Sequence, residues 1–364
     1  MKIVCYVNKL SDGGAERVMS VLANGLSRMN NRVILVTDYM TPNEYPVDPC
    51  ITRAILDGEF SGVCSKGRIT RTLRRIFQIR SICKKHKADI IVSFASEANF
   101  RAILATRCLN TKNLISVRVD PKVGYRDKKT AVLAKQLYPL ADGCVFQTAD
   151  AQAWFPSEIQ KKSKVILNPV SNAFFGVAPA ETRTKRIVSC GRLGKQKRFD
   201  LLIDAFNLIC DDFPEYKLEI YGQGELQSEL QAQIDSLGRQ NRISLMGRCN
   251  DVPNTIRDAS VFVLCSDFEG LPNALMEAMV LGIPVISTDC SGGGARALID
   301  QSVNGRIVSC GDTRALADAI RAYLEDPEKA DQHGKKAAEK ATGFSTERIV
   351  AVWEAYIKEI VTGK

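Results

Sequence analysis

The 364-residue chain has only two histidines, His86 and His333, and two tryptophans. His86 lies in a lysine-rich helix end and His333 near the C-terminus, so neither is a credible catalyst. There is no Asp-x-Asp string, which removes the usual sequence sign of a metal held by paired aspartates, and no Cys-x-x-Cys. No stretch approaches 18 consecutive apolar residues, so no spanning helix is expected. An apolar share of 45% with 25% charged residues is ordinary globular composition and excludes a disordered chain or a fibre.

Cysteine is present, with 12 residues, but not in a disulfide pattern: the closest two, Cys50 and Cys64, are 14 positions apart. Several, such as Cys5, Cys190 and Cys265, fall inside apolar runs as small buried hydrophobes would. Met1-Lys2 leads directly into a strand-like run with no signal peptide, so reduced thiols in a cytoplasmic protein are expected. Acidic residues are scarce in one half only. Residues 1–170 carry 27 Lys and Arg against 14 Asp and Glu, a net +13; residues 171–364 carry 23 against 27, a net −4. The first half therefore faces something anionic.

Both halves alternate strands with helices. The first has strand-like runs at Lys2–Val7, Arg32–Thr37, Asp89–Phe94, Asn113–Val117, Gly143–Phe146 and Lys164–Leu167. The second restarts at Arg186–Cys190 and continues through Lys217–Tyr221, Ile243–Met246, Val261–Cys265 and Pro284–Ser287. Two successive alternations predict two α/β domains with doubly wound parallel sheets, spanning 1–170 and 171–343. Asn168-Pro169 stops the last strand of the first, and 344–364 holds a final amphipathic helix over Ser345–Ile360. Ligands of such sheets bind beyond the strands' carboxyl ends.

The candidate motifs lie at those ends. Ser11-Asp12-Gly13-Gly14-Ala15-Glu16-Arg17 follows the first strand, and its glycines allow close backbone approach to a phosphate. It is not Gly-x-Gly-x-x-Gly, and alone it reads equally as a tight connection. Gly191-Arg192-Leu193-Gly194-Lys195-Gln196-Lys197 places Arg192 and Lys197 just past a strand, where two cations could neutralise a leaving diphosphate or simply be solvated. Gly222 and Gly224 form another strand-to-helix turn. In Glu269-Gly270-Leu271-Pro272-Asn273-Ala274-Leu275-Met276-Glu277, Asn273 is expected to cap a helix over Ala274–Leu281. Glu269 and Glu277 would converge near that helix N-terminus, each able to accept paired hydroxyls of a sugar diol. Gly292-Gly293-Gly294 again offers backbone donors to an anion.

Together SDGGAER, GRLGKQK, YGQGE, EGLPNALMEA, PVISTDCSGGG, VNGRIV and FSTERIVAVWEAY carry a resemblance. The chain resembles, end to end, a retaining family-4 glycosyltransferase of the GT-B fold, two facing Rossmann-like domains with an interdomain cleft. It is most similar to bacterial enzymes that extend polyprenyl-diphosphate-linked glycans, including GalNAc transferases of N-glycosylation and exopolysaccharide relatives. The resemblance implies catalytic Arg192, Lys197 and Glu269, the first two on the donor diphosphate and Glu269 on the transferred sugar. It implies Glu277 on the ribose and the Gly270, Leu271, Pro272 and Asn273 backbone on sugar and phosphate. Gly191, Gly222 and Gly224 would complete the donor site, with Gly13 and Gly14 closing over the diphosphate. No metal and no cofactor is implied, since the cations would do that work; the donor would be a nucleotide sugar, expected to be UDP-linked.

Two positions depart from the family pattern. Where relatives carry a histidine near the reacting sugar, this chain has Arg118 in Ser116-Val117-Arg118-Val119-Asp120-Pro121. Where many carry a glutamate after the third glycine, it has Ala295-Arg296-Ala297. Glu16 and Arg118 are assigned to the acceptor side.

From Ser61 to Ala88 there are nine Lys and Arg and no acid, among them Lys66, Arg68, Arg71, Arg74 and Arg75. Ile69, Leu73, Ile76 and Cys83 recur at helical spacing, predicting one face on the sheet and the other cationic. Such a face suits anionic headgroups or a lipid-linked diphosphate. Nucleic acid is not expected, since no recognisable motif for it occurs. The expected protein is a cytoplasmic enzyme, peripheral on the inner face of the plasma membrane, with a polyprenyl-diphosphate-linked glycan as acceptor. A transferase for a soluble acceptor, a non-catalytic nucleotide-sugar-binding subunit, and a glycosidase using Glu269 and Glu277 are the alternatives.

Overall fold

The computed structural model describes residues 1–11, 13–57 and 67–363, the Arg68 side chain excepted. Asp12 of the first glycine loop, Lys66 of the basic stretch and the Arg68 side chain thus lie outside the described residues. The chain divides into two units, Met1–Pro169 with Thr346–Lys364, and Val170–Ser345.

In the first unit the strands are β1 (Lys2–Val7), β2 (Arg32–Thr37), β3 (Thr52–Ile55), β4 (Ile90–Phe94), β5 (Lys112–Ser116), β6 (Gly143–Phe146) and β7 (Ser163–Val165). They form one parallel sheet in the order β3-β2-β1-β4-β5-β6-β7. Near-continuous Val and Ile in the central strands fits a sheet buried on both faces. Helices α1 (Gly14–Arg28), α2 (Arg68–His86), α3 (Ser96–Thr106), α4 (Pro121–Gly124) and α5 (Lys128–Leu137) follow the strands.

Alternate strand residues face opposite layers. Val4, Tyr6, Ile91, Ile115 and Phe146 meet the layer of α2, α3 and α5. Ile3, Cys5, Val92, Leu114 and Val145 meet α1 and the final helix, Thr346–Thr362. That helix buries Trp353 completely, its ring 5.6 Å from Phe94. It also approaches α1 at Gly25, where a Cβ would lie 2.5 Å from Val350.

The second unit holds β8 (Thr184–Cys190), β9 (Lys217–Tyr221), β10 (Ile243–Gly247), β11 (Ala259–Leu264), β12 (Val285–Thr288) and β13 (Arg306–Val308). These are parallel in the order β10-β9-β8-β11-β12-β13. Its core gathers Leu202, Phe206, Ile220, Val263 and Ile320. His333 is buried here against the Tyr323 hydroxyl at 2.8 Å.

The basic helix corrects the sequence reading. Ile69 and Leu73, expected against the sheet, are 78% and 51% exposed, and Phe77 is 68% exposed. The buried stripe is instead Arg75, Ile79 and Cys83, with Ile76 and Ile82 partly covered. Arg75 is therefore not a surface residue: its guanidinium pairs with Asp38 at 2.8 Å and with Asp57. The acids absent from the stretch arrive from the ends of β2 and β3. Arg80 is likewise engaged, donating to the Ala105 and Arg107 carbonyls around the C-terminus of α3.

Candidate active site

In the second unit the expected donor residues collect where β8, β9 and β11 end. Beyond β8, Lys197 sits in a short 3-10 turn over Lys195–Lys197, its stem packed so that a Cβ on Gly191 would meet it at 3.0 Å. Its Nζ lies 2.6 Å from Glu269 Oε1, and Ser266 Oγ donates to the same oxygen at 2.9 Å. Both partners are largely buried. Arg192 is different: 77% exposed, it reaches Glu225 at 3.0 Å and is available to an incoming anion.

The loop carrying Glu269 is pinned from three sides. Gln196 donates to the Phe268 carbonyl at 2.7 Å, Asp267 N–H donates to the Gln196 carbonyl, and Glu269 N–H donates to the Ser291 carbonyl. Arg198 binds Asp267 and Asp200 while holding a left-handed φ of 49°. That conformation costs roughly 1–3 kcal/mol in a non-glycine residue, so the surrounding ion pairs must hold it. Arg198 and Asp267 are positioning residues that the sequence reading missed, because positive φ leaves no mark in composition.

Two close backbone approaches explain the glycines. A Cβ on Gly222, at φ 150°, would lie 1.8 Å from the Gly191 carbonyl oxygen. One on Gly294 would lie 2.5 Å from the Gly270 carbonyl oxygen. These turns can therefore stack only as bare backbone.

The helix after Glu269 spans Asn273–Val280 and starts one residue earlier than expected. Pro272 takes the cap position, so Asn273 is the first helical residue rather than the cap. Leu271 is buried, Gly270 half-buried, and Glu277 is 7% exposed on the second turn. Glu277 faces Cys190, whose thiol is pushed up to about 12 first by burial and then by the Glu277 charge. Cys290 is raised to about 12 chiefly by burial, with Glu269 as the next contributor. The two carboxylates thus flank the ends of β8 and β12.

Beside them a cavity of about 220 Å³ opens at the ends of β8, β9 and β10. Cys190, Gly191, Arg192, Tyr221, Gly222 and Arg248 are among its lining. Arg248 was not anticipated; it follows β10, whose run gave no glycine-turn signal beyond Gly247.

The remaining candidates belong to the first unit. Gly13 is extended and caps α1, Gly14 is its first residue, and the Glu16 carboxylate folds back where a Gly13 Cβ would be, 1.9 Å away. Arg118 follows β5. Its Nη2 donates to Asn168 Oδ1 at 2.6 Å, and its guanidinium lies 4.5 Å from the centre of the Phe94 ring. Its Nε and Nη1 are shielded from solvent and have no hydrogen-bond partner. Burial pushes this guanidinium down to about 9, which still leaves it charged at neutral pH. Asp120 Oδ2 and Gln147 Oε1 are also buried without partners. Next to Phe94, Ala95 holds φ at 77°. Among the described residues no group of three or more His, Cys, Asp or Glu could hold a metal ion.

Two parallel-sheet units with this loop chemistry define a GT-B glycosyltransferase. Residues 12–173 match the family described as Glycosyltransferase Family 4, and residues 171–340 match Glycosyl transferases group 1; the chain belongs to these glycosyltransferases. It is 26% identical, over 99% of both chains, to the Campylobacter jejuni GalNAc-alpha-(1->4)-GalNAc-alpha-(1->3)-diNAcBac-PP-undecaprenol alpha-1,4-N-acetyl-D-galactosaminyltransferase. It is also 26% identical to the N-acetylgalactosamine-N,N'-diacetylbacillosaminyl-diphospho-undecaprenol 4-alpha-N-acetylgalactosaminyltransferase of the same organism, over 96% of this chain and 97% of that one. Among solved structures, Anabaena HepE in complex with UDP matches 99% of this chain and 100% of its own, with a TM-score of 0.80 and 19% identity. Sucrose-phosphate synthase from Thermosynechococcus elongatus matches all of both chains with a TM-score of 0.82 and 18% identity.

Proposed function

We propose that this glycosyltransferase moves a hexosamine or hexose from a UDP-sugar to a polyprenyl-diphosphate-linked glycan with retention of configuration. The observation that carries the reading is the buried Lys197–Glu269 pair at the sheet's carboxyl edge, beside the cavity and the start of the helix Asn273–Val280. The cavity takes the nucleoside, with Glu277 on the ribose diol. Lys197 has three N–H donors, so it can keep Glu269 and still bind a phosphate oxygen. Arg192 and the helix N-terminus add positive charge to the same diphosphate. Glu269, held by Lys197 and Ser266, accepts from sugar hydroxyls.

The reaction balances without a protein nucleophile. The acceptor hydroxyl oxygen bonds to the anomeric carbon on the face from which the phosphate leaves. The sugar–phosphate C–O bond breaks with its electron pair on the phosphate, and the hydroxyl proton passes to that phosphate oxygen. Lys197 and Arg192 stabilise the negative charge as it develops, which is the role a divalent metal fills elsewhere. The lipid-linked acceptor is supported by the names of the Campylobacter relatives and by the net +13 of residues 1–170. A lipid-linked acceptor would bring the enzyme to the cytoplasmic face of the membrane as a peripheral protein; no helix of the described residues is long and apolar enough to cross it.

Incubation with UDP-GalNAc and an undecaprenyl-diphosphate glycan, with the product read by NMR, tests this directly. An α-linked product that forms equally in EDTA is expected. A β-linked product, or free sugar released without acceptor, would overturn it.

Arg118 supplies a test on the acceptor side. Its unpaired Nε and Nη1 need acceptor atoms from a ligand, so Arg118→Met should lower kcat/KM for the lipid-linked glycan at least ~10-fold. The same change removes an under-paired buried charge, and Gln147 still donates to Asn168. Thermal unfolding of the ligand-free variant should therefore occur at an equal or higher temperature. A destabilised variant of normal activity would make Arg118 a packing residue.

A further inference from the structure

We propose that Asp120 and Gln147, together with Arg118, read the hydroxyl and amide groups of a neutral pyranose, the terminal sugar of the acceptor glycan, and not its diphosphate. This rests on the reading that the chain glycosylates a sugar acceptor.

Hydrogen-bonding groups without partners accumulate in one place. Among the described residues eight buried side-chain nitrogen and oxygen atoms lack a partner, and four of them belong to these three residues. Arg118 and Asp120 follow β5, Gln147 follows β6 and Asn168 lies beyond β7, three strands that are neighbours in the sheet. Unpaired buried polar atoms are costly, so four at adjoining strand ends call for an occupant.

Each side chain is held so that its remaining atoms stay unmet from within. Asn168 Oδ1 accepts from Arg118 Nη2 at 2.6 Å and from Gln147 Nε2 at 2.9 Å. With Nε2 engaged, the Gln147 amide is left with Oε1, an acceptor. Asp120 Oδ1 accepts from the Lys122 N–H at 3.0 Å, capping α4, which leaves Oδ2, a second acceptor. Arg118 keeps Nε–H and Nη1–H, two donors, with its guanidinium over the Phe94 ring. Asp120 and Gln147 are 1% and 4% exposed while Arg118 is half-buried, so access to the cluster is past Arg118.

The balance of donors and acceptors selects the ligand. Phosphate oxygens would accept from Arg118 but leave Asp120 Oδ2 and Gln147 Oε1 unmet, with a carboxylate facing the anion. A carboxylate ligand fails in the same way. Nε and Nη1 also lie on either side of Nη2, which Asn168 already holds, so they do not form a single fork for one anion. Hydroxyls both donate and accept, and an acetamido group brings one N–H and one carbonyl. A pyranose ring carrying such groups pairs all four atoms, and a ring lacking one of them leaves a buried group unpaired.

Ligand-observed NMR of the UDP-saturated enzyme with the benzyl α-glycosides of GalNAc, GlcNAc, galactose and glucose is the test, since these carry the ring without a diphosphate. The wild type should bind one of them at least ~10-fold more tightly than the weakest. Asp120→Asn keeps the oxygen that caps α4 and turns the free acceptor into a donor; Gln147→Met removes the other free acceptor and leaves Arg118 on Asn168. Each should weaken the preferred glycoside at least ~10-fold and bring all of them within ~3-fold of one another. In transfer assays both variants should raise the acceptor KM and leave the KM for the UDP-sugar unchanged. Discrimination retained by either folded variant would give these atoms to buried water and overturn the proposal. A wild type that binds none of the glycosides, or variants altered only in donor KM, would overturn it as well. Glycoside binding as expected, with no transfer to a polyprenyl-diphosphate glycan, keeps the subsite and removes the proposed acceptor.

Discussion

Lys197→Ala should lower kcat at least ~100-fold at saturating donor and acceptor, with a smaller change in donor KM. The reason is where the cation sits. Lys197 leaves the end of β8 with its stem over Gly191 and its ammonium on Glu269, in a largely buried position. A charge that develops on a leaving phosphate there is stabilised far more than it would be in water, and removing one such donor typically costs ~100–1000-fold. Arg192 cannot replace it, being 77% exposed and bound to Glu225 on the surface. Glu277→Ala should also lower turnover by at least ~100-fold, since it removes the carboxylate proposed to orient the nucleotide. Initial rates with circular dichroism as a folding control decide the matter: a folded Lys197→Ala enzyme within ~10-fold of wild type would remove the residue from the chemistry.

Much of that site was legible because the fold puts its chemistry at strand ends. Alternating apolar runs locate β8 and β11, and the polar residues immediately after them, Arg192, Lys197 and Glu269, then have to lie on one sheet edge. What was not legible is how the loops are held. The Asp267–Arg198 pair, the Gln196 to Phe268 hydrogen bond and the Gly222 turn join segments far apart in sequence, and no local pattern announces them. The short edge strands β3 and β13 were missed for a simpler reason: three or four half-exposed residues with an arginine among them show no apolar run.

The basic helix shows why periodicity alone placed only Ile76 and Cys83 of its four residues correctly. Its apolar residues fall into two stripes, Ile69-Leu73-Phe77 and Ile76-Ile79-Ile82-Cys83, and either could face a sheet. The expected face, Ile69, Leu73, Ile76 and Cys83, joined part of each and required Arg75 to be solvated. In the structure the second wins, because Asp38 and Asp57 take the guanidinium and allow it to be buried beside Ile79. Arg118 teaches the same lesson, for its shielded nitrogens depend on Phe94 and Asn168, contributed by other strands and loops.

Asp38→Ala should destabilise the protein by about 3–5 kcal/mol, the largest stability effect expected of any charge network here. Asp38 follows β2, is almost fully buried, and is the hub of a cluster. Tyr6 donates to its Oδ1 at 2.7 Å; Arg101 of α3 and Arg75 of α2 each reach its Oδ2 at 2.8 Å. Burial pushes the Asp38 carboxyl upward, so the ionised form depends on these donors, foremost Arg101. Removing the carboxylate leaves Arg75 with Asp57 and Arg101 with Glu97, two guanidiniums sharing a buried space with one counter-charge fewer. By contrast, Lys164→Ala, which breaks the exposed pair with Glu359, should cost less than ~1 kcal/mol. Urea titration of both variants gives the comparison, and equal midpoints would refute the buried-hub assignment.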